Sequence, residues 1–68
     1  MISLGIDPGT ATVGYGLVSE RRDGSLEAID YGVITTPAGV PMPDRLRTIH
    51  NALALLIALH KPDRAAVE

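Results

Sequence analysis

Apolar residues recur at helical spacing along one stretch only, Asp44 to His60, and nearly everything before it reads as strand. Leu46, Ile49, Leu53, Leu56 and Ile57 share one stripe, so a single helix must cover whatever sheet the chain builds. Pro43 suits the first turn, Asp44 complements the positive helix N-terminus, and Lys61-Pro62 stops the helix. Leu55 and Leu59 lie roughly opposite the stripe, either as surface leucines or as residues that further sequence covers.

Three strands precede the helix. Ile2 to Asp7 is a short apolar run closed by "DPGT", where Pro8 presets turn position i+1 and Gly9 is expected to take positive φ at i+2. "TVGYGLVS", Thr12 to Ser19, is β-rich, and its Gly14 and Gly16 fall on one face, where something approaches closely or the sheet bends. Asp23-Gly24 signals a hairpin. "LEAIDYGVIT" then alternates through Leu26, Ala28 or Ile29, Tyr31 and Val33 as a third, antiparallel strand. After the helix, "RAAVE" is a strand reached by a β-helix-β crossover, which places it parallel to the strand it joins. The expected fold class is therefore α/β: a mixed sheet of three antiparallel strands, one helix, and a fourth strand parallel to the first.

The chain has 68 residues, and a domain that small buries only roughly 60% of the surface its unfolded form exposes. That leaves room for one thin core and no second domain. Hydrophobic residues at 46% against 21% charged exclude a disordered chain. With no cysteine, disulfide frameworks and Cys-based zinc sites are excluded. The longest near-apolar run, Ala52 to Leu59, is far too short to span a bilayer, and "MISLGID" lacks a basic signal region, so a soluble cytoplasmic protein is expected. A net charge of −2 does not advertise a nucleic-acid binder. However, "DRAAVE" stops on a strand with no turn residue after it, so we expect a fragment whose charge says little about the whole.

If the fourth strand docks beside the first, Asp7 and Glu68 end neighbouring parallel strands. Taken singly, Asp7 is a preferred first residue of a Pro-Gly turn and Glu68 a solvated strand end. Taken together, two adjacent carboxylates repel unless they share a proton or bind a cation. Oxygen-only ligation suits Mg²⁺ or Mn²⁺, and a pair of such ions clamps the attacking and leaving oxygens of a phosphodiester. The glycine-rich second strand would let a bulky backbone come close.

"LGIDPGTATVGYGLV" followed by "RLRTIHNALALLIALHKPDRAAVE" resembles the N-terminal part of the RuvC family of bacterial Holliday-junction resolvases, in the RNase H-like superfamily. "GIDPG", "GYG", the "P-x-RL" helix start and the "PD-x-x-A-x-E" ending carry the likeness; Arg21 to Ala38 is unspecific. The resemblance implies that residues 1–68 are the N-terminal part of a single RNase H-like nuclease domain. It further implies a homodimeric endonuclease that makes paired symmetric nicks in four-way DNA junctions. Mg²⁺ or Mn²⁺, two ions per site, would be held by four carboxylates. By motif Asp7 is the first of these and Glu68 the second, both catalytic and metal-binding; the other two belong to a later helix. The implied partners are junction DNA and the RuvA and RuvB branch-migration proteins.

Three other readings stay open. A YqgF-like RNase H-fold protein of ribosomal-RNA processing shares the "GIDPG" start, but its fourth strand usually ends in a Gly-Leu-Pro type of stretch. An actin-like ATPase opens on a similar phosphate loop but commonly adds a lysine soon after, and "TATVGYGLVSE" has none. In a non-enzymatic RNase H-like module, Asp7 is only a turn residue. Among lesser candidates, His60 reads as a helix cap or dipole partner ahead of a metal ligand, and His50 has no role. Arg21 and Arg22 read as solvated charge at the hairpin tip. Phosphate contact is the weaker reading for Arg45 and Arg47, and Thr10 and Thr12 read as finishing the turn.

Overall fold

In the computed structural model, which describes residues 1–9 and 11–68, the chain runs β1 (Ile2–Pro8), β2 (Thr12–Glu20), β3 (Leu26–Thr35), α1 (Met42–His60) and β4 (Arg64–Val67). The four strands form one sheet in the order β3-β2-β1-β4. β1 pairs antiparallel with β2, and β2 with β3, while β1 and β4 are parallel. The mixed sheet, crossover helix and returning parallel strand are those expected from the sequence. Thr10 lies outside the described residues, so its turn role has no counterpart here.

The tip of the β2–β3 hairpin is closed by the backbone bonds Arg21 N to Ser25 O and Gly24 N to Arg21 O, with Gly24 at φ +86°. That left-handed conformation is what its glycine supplies. Asp23 Oδ1 accepts from both the hydroxyl and the amide of Ser25, at 2.6 and 2.8 Å. The hydroxyl bond foremost, then the amide, holds the Asp23 carboxyl below its ordinary range. The register slips between Leu17 and Val18: Leu17 faces Asp30 but Val18 faces Ala28, so Ile29 is an extra residue on β3. This bulge is why the alternation reads equally well through Ala28 or Ile29.

The Pro-Gly turn differs from expectation. Gly9 is not among the positive-φ glycines, and Pro8 still pairs with Val13 in the ladder. Glycine is needed there for space instead, since a Cβ on Gly9 would stand 2.6 Å from the Thr12 carbonyl oxygen, to which Gly9 N donates.

Pairing register assigns the two sheet faces. Leu4, Val13, Leu17 and Ile34 share the face that α1 covers, and all four are buried. Helix packing is looser than the stripe implies. Ile49, Leu53 and Leu56 are half-buried, but Leu46 and Ile57 remain 58% and 48% exposed, and no helical residue is fully buried. Below them the sheet presents Ala65 and Gly32 in register with Leu4 and Tyr15, side chains too small to meet the helix. A cavity of about 410 Å³ remains between Leu46, Ile49 and Leu53 above and Ile6, Val13 and Val67 below. Leu55 and Leu59 are 72% and 74% exposed.

α1 begins at Met42, two residues before the expected start, with Pro43 in its first turn and Pro41 accepting from Asp44 N and Arg45 N. It ends at Lys61, a non-glycine left-handed cap (φ 47°) whose N–H donates to Ile57 O. Arg45 Nε donates to the buried Thr36 hydroxyl at 3.1 Å, and Thr36 N donates to Ala11 O, tying the helix start to the segment after β1. Arg45 is thus committed within the fold. Among the described residues, no helix is long and apolar enough to cross a membrane.

Candidate metal centre

The face opposite α1 carries the two candidate carboxylates. In parallel pairing Gly5 lies beside Ala66 and Ile6 beside Val67. The next step of each strand, Asp7 and Glu68, therefore shares the face of Gly5 and Ala66. Glu68 N donates to Ile6 O at 3.0 Å, which carries the pairing past the last strand residue and sets the Glu68 backbone against β1. Both residues are exposed and line the same open groove of about 470 Å³. The groove floor is nearly side-chain-free: Gly5 on β1, Gly14 and Gly16 on β2, and Ala66 on β4.

This arrangement answers the cost of placing a carboxylate at the end of an apolar strand. Asp7 turns away from the helix-covered core, so no buried charge needs compensation. Gly14 sits directly across from Asp7, where a Cβ would meet Asp7 Cβ at 3.8 Å, an ordinary contact. No group of three or more His, Cys, Asp or Glu able to hold a metal occurs among the described residues. The pair is an oxygen-only donor set open to solvent. That matches a hard cation which keeps several waters.

Sequence reasoning missed what sets the pair in register. Asp63, just before β4, is doubly bonded to Ile2: Ile2 N donates to Asp63 Oδ2 and Asp63 N donates to Ile2 O, both at 2.8 Å. Arg64 Nε adds a bond to Ser3 Oγ at 2.9 Å. The only signal was the acid after Pro62, in a position to accept at a strand mouth. A shift of one residue in β4 would send Glu68 to the opposite face. We therefore expect Asp63→Ala to weaken divalent-metal binding by the complete protein at least about tenfold, as for loss of an outer-shell support. Isothermal titration with Mn²⁺ checks this, and unchanged affinity would show that the ladder bonds alone hold the register.

The other candidates are placed plainly. His60 does not cap the helix; its half-buried ring lies 3.4 Å from the Asp30 carboxylate, without hydrogen-bond geometry. His50 Nδ1 is 3.4 Å from Asn51 Oδ1. Arg21 pairs with Glu27 at 2.8 Å on an exposed surface, as solvated charge at the hairpin. Arg22 and Arg47 are exposed, and Thr12 is the first residue of β2.

Comparison with known proteins bears on this geometry. The family model described as "Crossover junction endodeoxyribonuclease RuvC" matches residues 3–68. A protein of that description from Chloroflexus aggregans is 54% identical over 68 residues, which is all of this chain and 41% of the relative. One from Syntrophomonas wolfei is 54% identical over 65 residues, 96% of this chain and 37% of the relative. The structure of Thermus thermophilus RuvC superposes with a TM-score of 0.88 at 30% identity, covering 98% of this chain and 44% of that one. The same bacterium's RuvC in complex with a Holliday junction substrate gives 0.89 at 27% identity, covering 98% and 42%. The chain thus spans about two fifths of the length of these relatives, 41% for the first.

Proposed function

Because the chain belongs to the RuvC family of crossover junction endodeoxyribonucleases, we propose that residues 1–68 are the N-terminal part of a single RNase H-like nuclease domain. In its complete form that domain makes paired symmetric nicks in four-way DNA junctions, by metal-dependent phosphodiester hydrolysis. The observation that supports this reading is the convergence of Asp7 and Glu68 on one face at the carboxyl ends of parallel strands. A Glu at that position also disfavours the ribosomal-RNA-processing alternative, and the absence of a lysine in "TATVGYGLVSE" disfavours the phosphate-loop one.

Asp7 and Glu68 act as metal-holding catalytic residues for Mg²⁺ or Mn²⁺, two ions per site. When bound there, such ions supply charge stabilisation to the attacking and leaving oxygens of an in-line displacement. The protein's own part is positional. β1 and β4 present the two carboxylates at adjacent strand ends, and the glycine floor admits a sugar–phosphate backbone beside them. Two symmetric cuts need two such sites related by a twofold axis, which a homodimer supplies. RuvA and RuvB are the proposed protein partners, by family resemblance. The complete protein, incubated with a four-way junction and Mg²⁺, should release paired nicks on opposing strands and leave linear duplex intact. Cleavage of a ribosomal-RNA precursor with no junction nicking would overturn the assignment.

Residues 1–68 in isolation should neither nick DNA nor bind divalent metal tightly. Two carboxylates provide few of the six ligands of an octahedral ion, and Mg²⁺ gives up its waters reluctantly. The free edge of β4 and the exposed Leu55 and Leu59 also invite association with other chains. Calorimetric titration with Mn²⁺ and a junction-nicking assay check this. Tight binding or metal-dependent nicking would show that Asp7 and Glu68 suffice, and the four-carboxylate centre would be wrong.

A further inference from the structure

The β3 edge of the groove that holds Asp7 and Glu68 carries two exposed side chains, Val33 and Tyr31, and of these only Tyr31 is aromatic. Tyr31 on β3 is 79% exposed and lines the same groove as the two carboxylates. The register explains why nothing crowds it. Tyr31 is paired with Gly16, Gly16 with Gly5, and Gly5 with Ala66, so three small residues lie in line beside the ring. The adjacent row of the same face runs Val33, Gly14, Asp7. With strands about 5 Å apart and same-face residues about 7 Å apart along a strand, the Tyr31 and Asp7 backbones are separated by roughly 12 Å.

Neither Tyr31 nor Gly16 is explained by the packing of the fold. A Cβ on Gly16 would meet nothing within 4 Å, and its backbone is not left-handed, so no contact among the described residues requires glycine there. A bare strand position costs stability, and what it gains here is an open path across the sheet. Tyr15 shows the contrast: its hydroxyl lies 2.8 Å from where a Cβ on Gly32 would stand, so that ring is laid down on its own sheet. Tyr31 has no such seat. None of the described groove-lining residues is Lys or Arg, so within the groove itself a strand must be gripped without a salt bridge. An aromatic ring does that by stacking, which tolerates any base because every base has a π-face.

We propose that Tyr31 stacks on a nucleobase of the DNA strand at this site, in the nucleotide adjoining the scissile phosphate, and that Gly16 keeps the strand's path open. This rests on the reading of Asp7 and Glu68 as the metal-holding pair, because their position marks where the scissile phosphate lies. The occupant is a DNA strand because the groove is continuous with that pair.

The test uses the complete endonuclease and a four-way junction carrying 2-aminopurine beside the cleaved phosphate. Wild type, Tyr31→Ala, Tyr31→Phe and Gly16→Val are compared. Stacking should quench 2-aminopurine fluorescence in wild type and Tyr31→Phe, and Tyr31→Ala should lose the quench. In Mg²⁺, Tyr31→Ala should raise KM about tenfold with kcat within about threefold of wild type, while Tyr31→Phe stays close to wild type. Gly16→Val, which fits the fold, should raise KM at least as much by obstructing the path. The thermal midpoint of Tyr31→Ala should not move, since its side chain is exposed. A Tyr31→Ala protein with wild-type KM and quench overturns the proposal, as does a Tyr31→Phe protein impaired as badly as Tyr31→Ala. The quench is read without divalent metal, so it decides on stacking even if wild type fails to nick, a failure that would count against the metal-holding pair instead.

Discussion

Asp7→Asn and Glu68→Gln should each lower junction nicking by the complete protein more than about a thousandfold, while junction binding stays within about threefold. Each substitution keeps the side chain's size and replaces one anionic oxygen with an amide, so packing has no reason to change. Both residues are exposed and lie outside the buried set. Neither makes a side-chain bond that the fold depends on, since Glu68 meets β1 through its backbone N–H. What is lost, on the proposed assignment, is an anionic metal ligand, and outer-shell losses alone typically cost about 10–100-fold in metal-dependent sites. Binding should survive because DNA affinity is dominated by phosphate contacts to basic side chains, and neither carboxylate makes those. Single-turnover cleavage with binding measured on the same junction separates the two effects. Near-normal nicking by either variant in Mg²⁺ would remove that residue from the site.

The second large effect concerns stability. Leu17 and Leu4 face each other across β1 and β2 at 0% and 1% exposure, and they are the only fully buried large side chains among the described residues. Truncation of such a leucine typically costs about 2–5 kcal/mol, because the surroundings cannot close over the space. Here the roughly 410 Å³ cavity already lies under the helix nearby, so little unused packing remains. Leu17→Ala should therefore destabilise by about 2–5 kcal/mol, enough to unfold a domain with an ordinary margin of stability. Leu59→Ala, at 74% exposure, should stay within about 0.5 kcal/mol. Urea denaturation of both variants in the complete protein makes the comparison. Equal losses would mean that the sequence beyond residue 68 covers Leu59 and that the main core lies elsewhere.

Much of this architecture was legible because strong local punctuation agreed with long-range pattern. Asp23-Gly24 marked the hairpin, and Pro43 and Pro62 bracketed a helix whose apolar stripe left no doubt of its period. That Asp7 and Glu68 end neighbouring strands was legible only on the condition that β4 docks beside β1, since a helix crossover returns its strand parallel but does not choose its neighbour. Features set by tertiary detail were not legible. The extra residue at Ile29 leaves only an ambiguity in alternation. Gly9 was expected to supply a backbone angle but supplies clearance from the Thr12 carbonyl, and composition does not distinguish the two. Asp63 stood in the "PD-x-x-A-x-E" ending, but its bond to Ile2, near the other end of the chain, left no local pattern that gave its role. Leu46 and Ile57 read as core because periodicity reports which side a residue is on, not how well that side is filled.

The two hydrogen bonds between Asp63 and Ile2 span 61 residues of sequence, and that distance has a kinetic side. The hairpin of β2 and β3 needs only a short turn to close, whereas β4 finds β1 only after everything between them has been brought into a closed loop. The entropy of that closure grows slowly with loop length but must be met before any β1–β4 contact rewards it. We therefore expect the local hairpin and helix to assemble first and β4 last. Since Glu68 is set beside Asp7 only through β4, a chain still on the ribosome or a partly folded one has two separate carboxylates and not the pair proposed to hold a metal. On the proposed function, nuclease chemistry would then be confined to molecules that have finished folding.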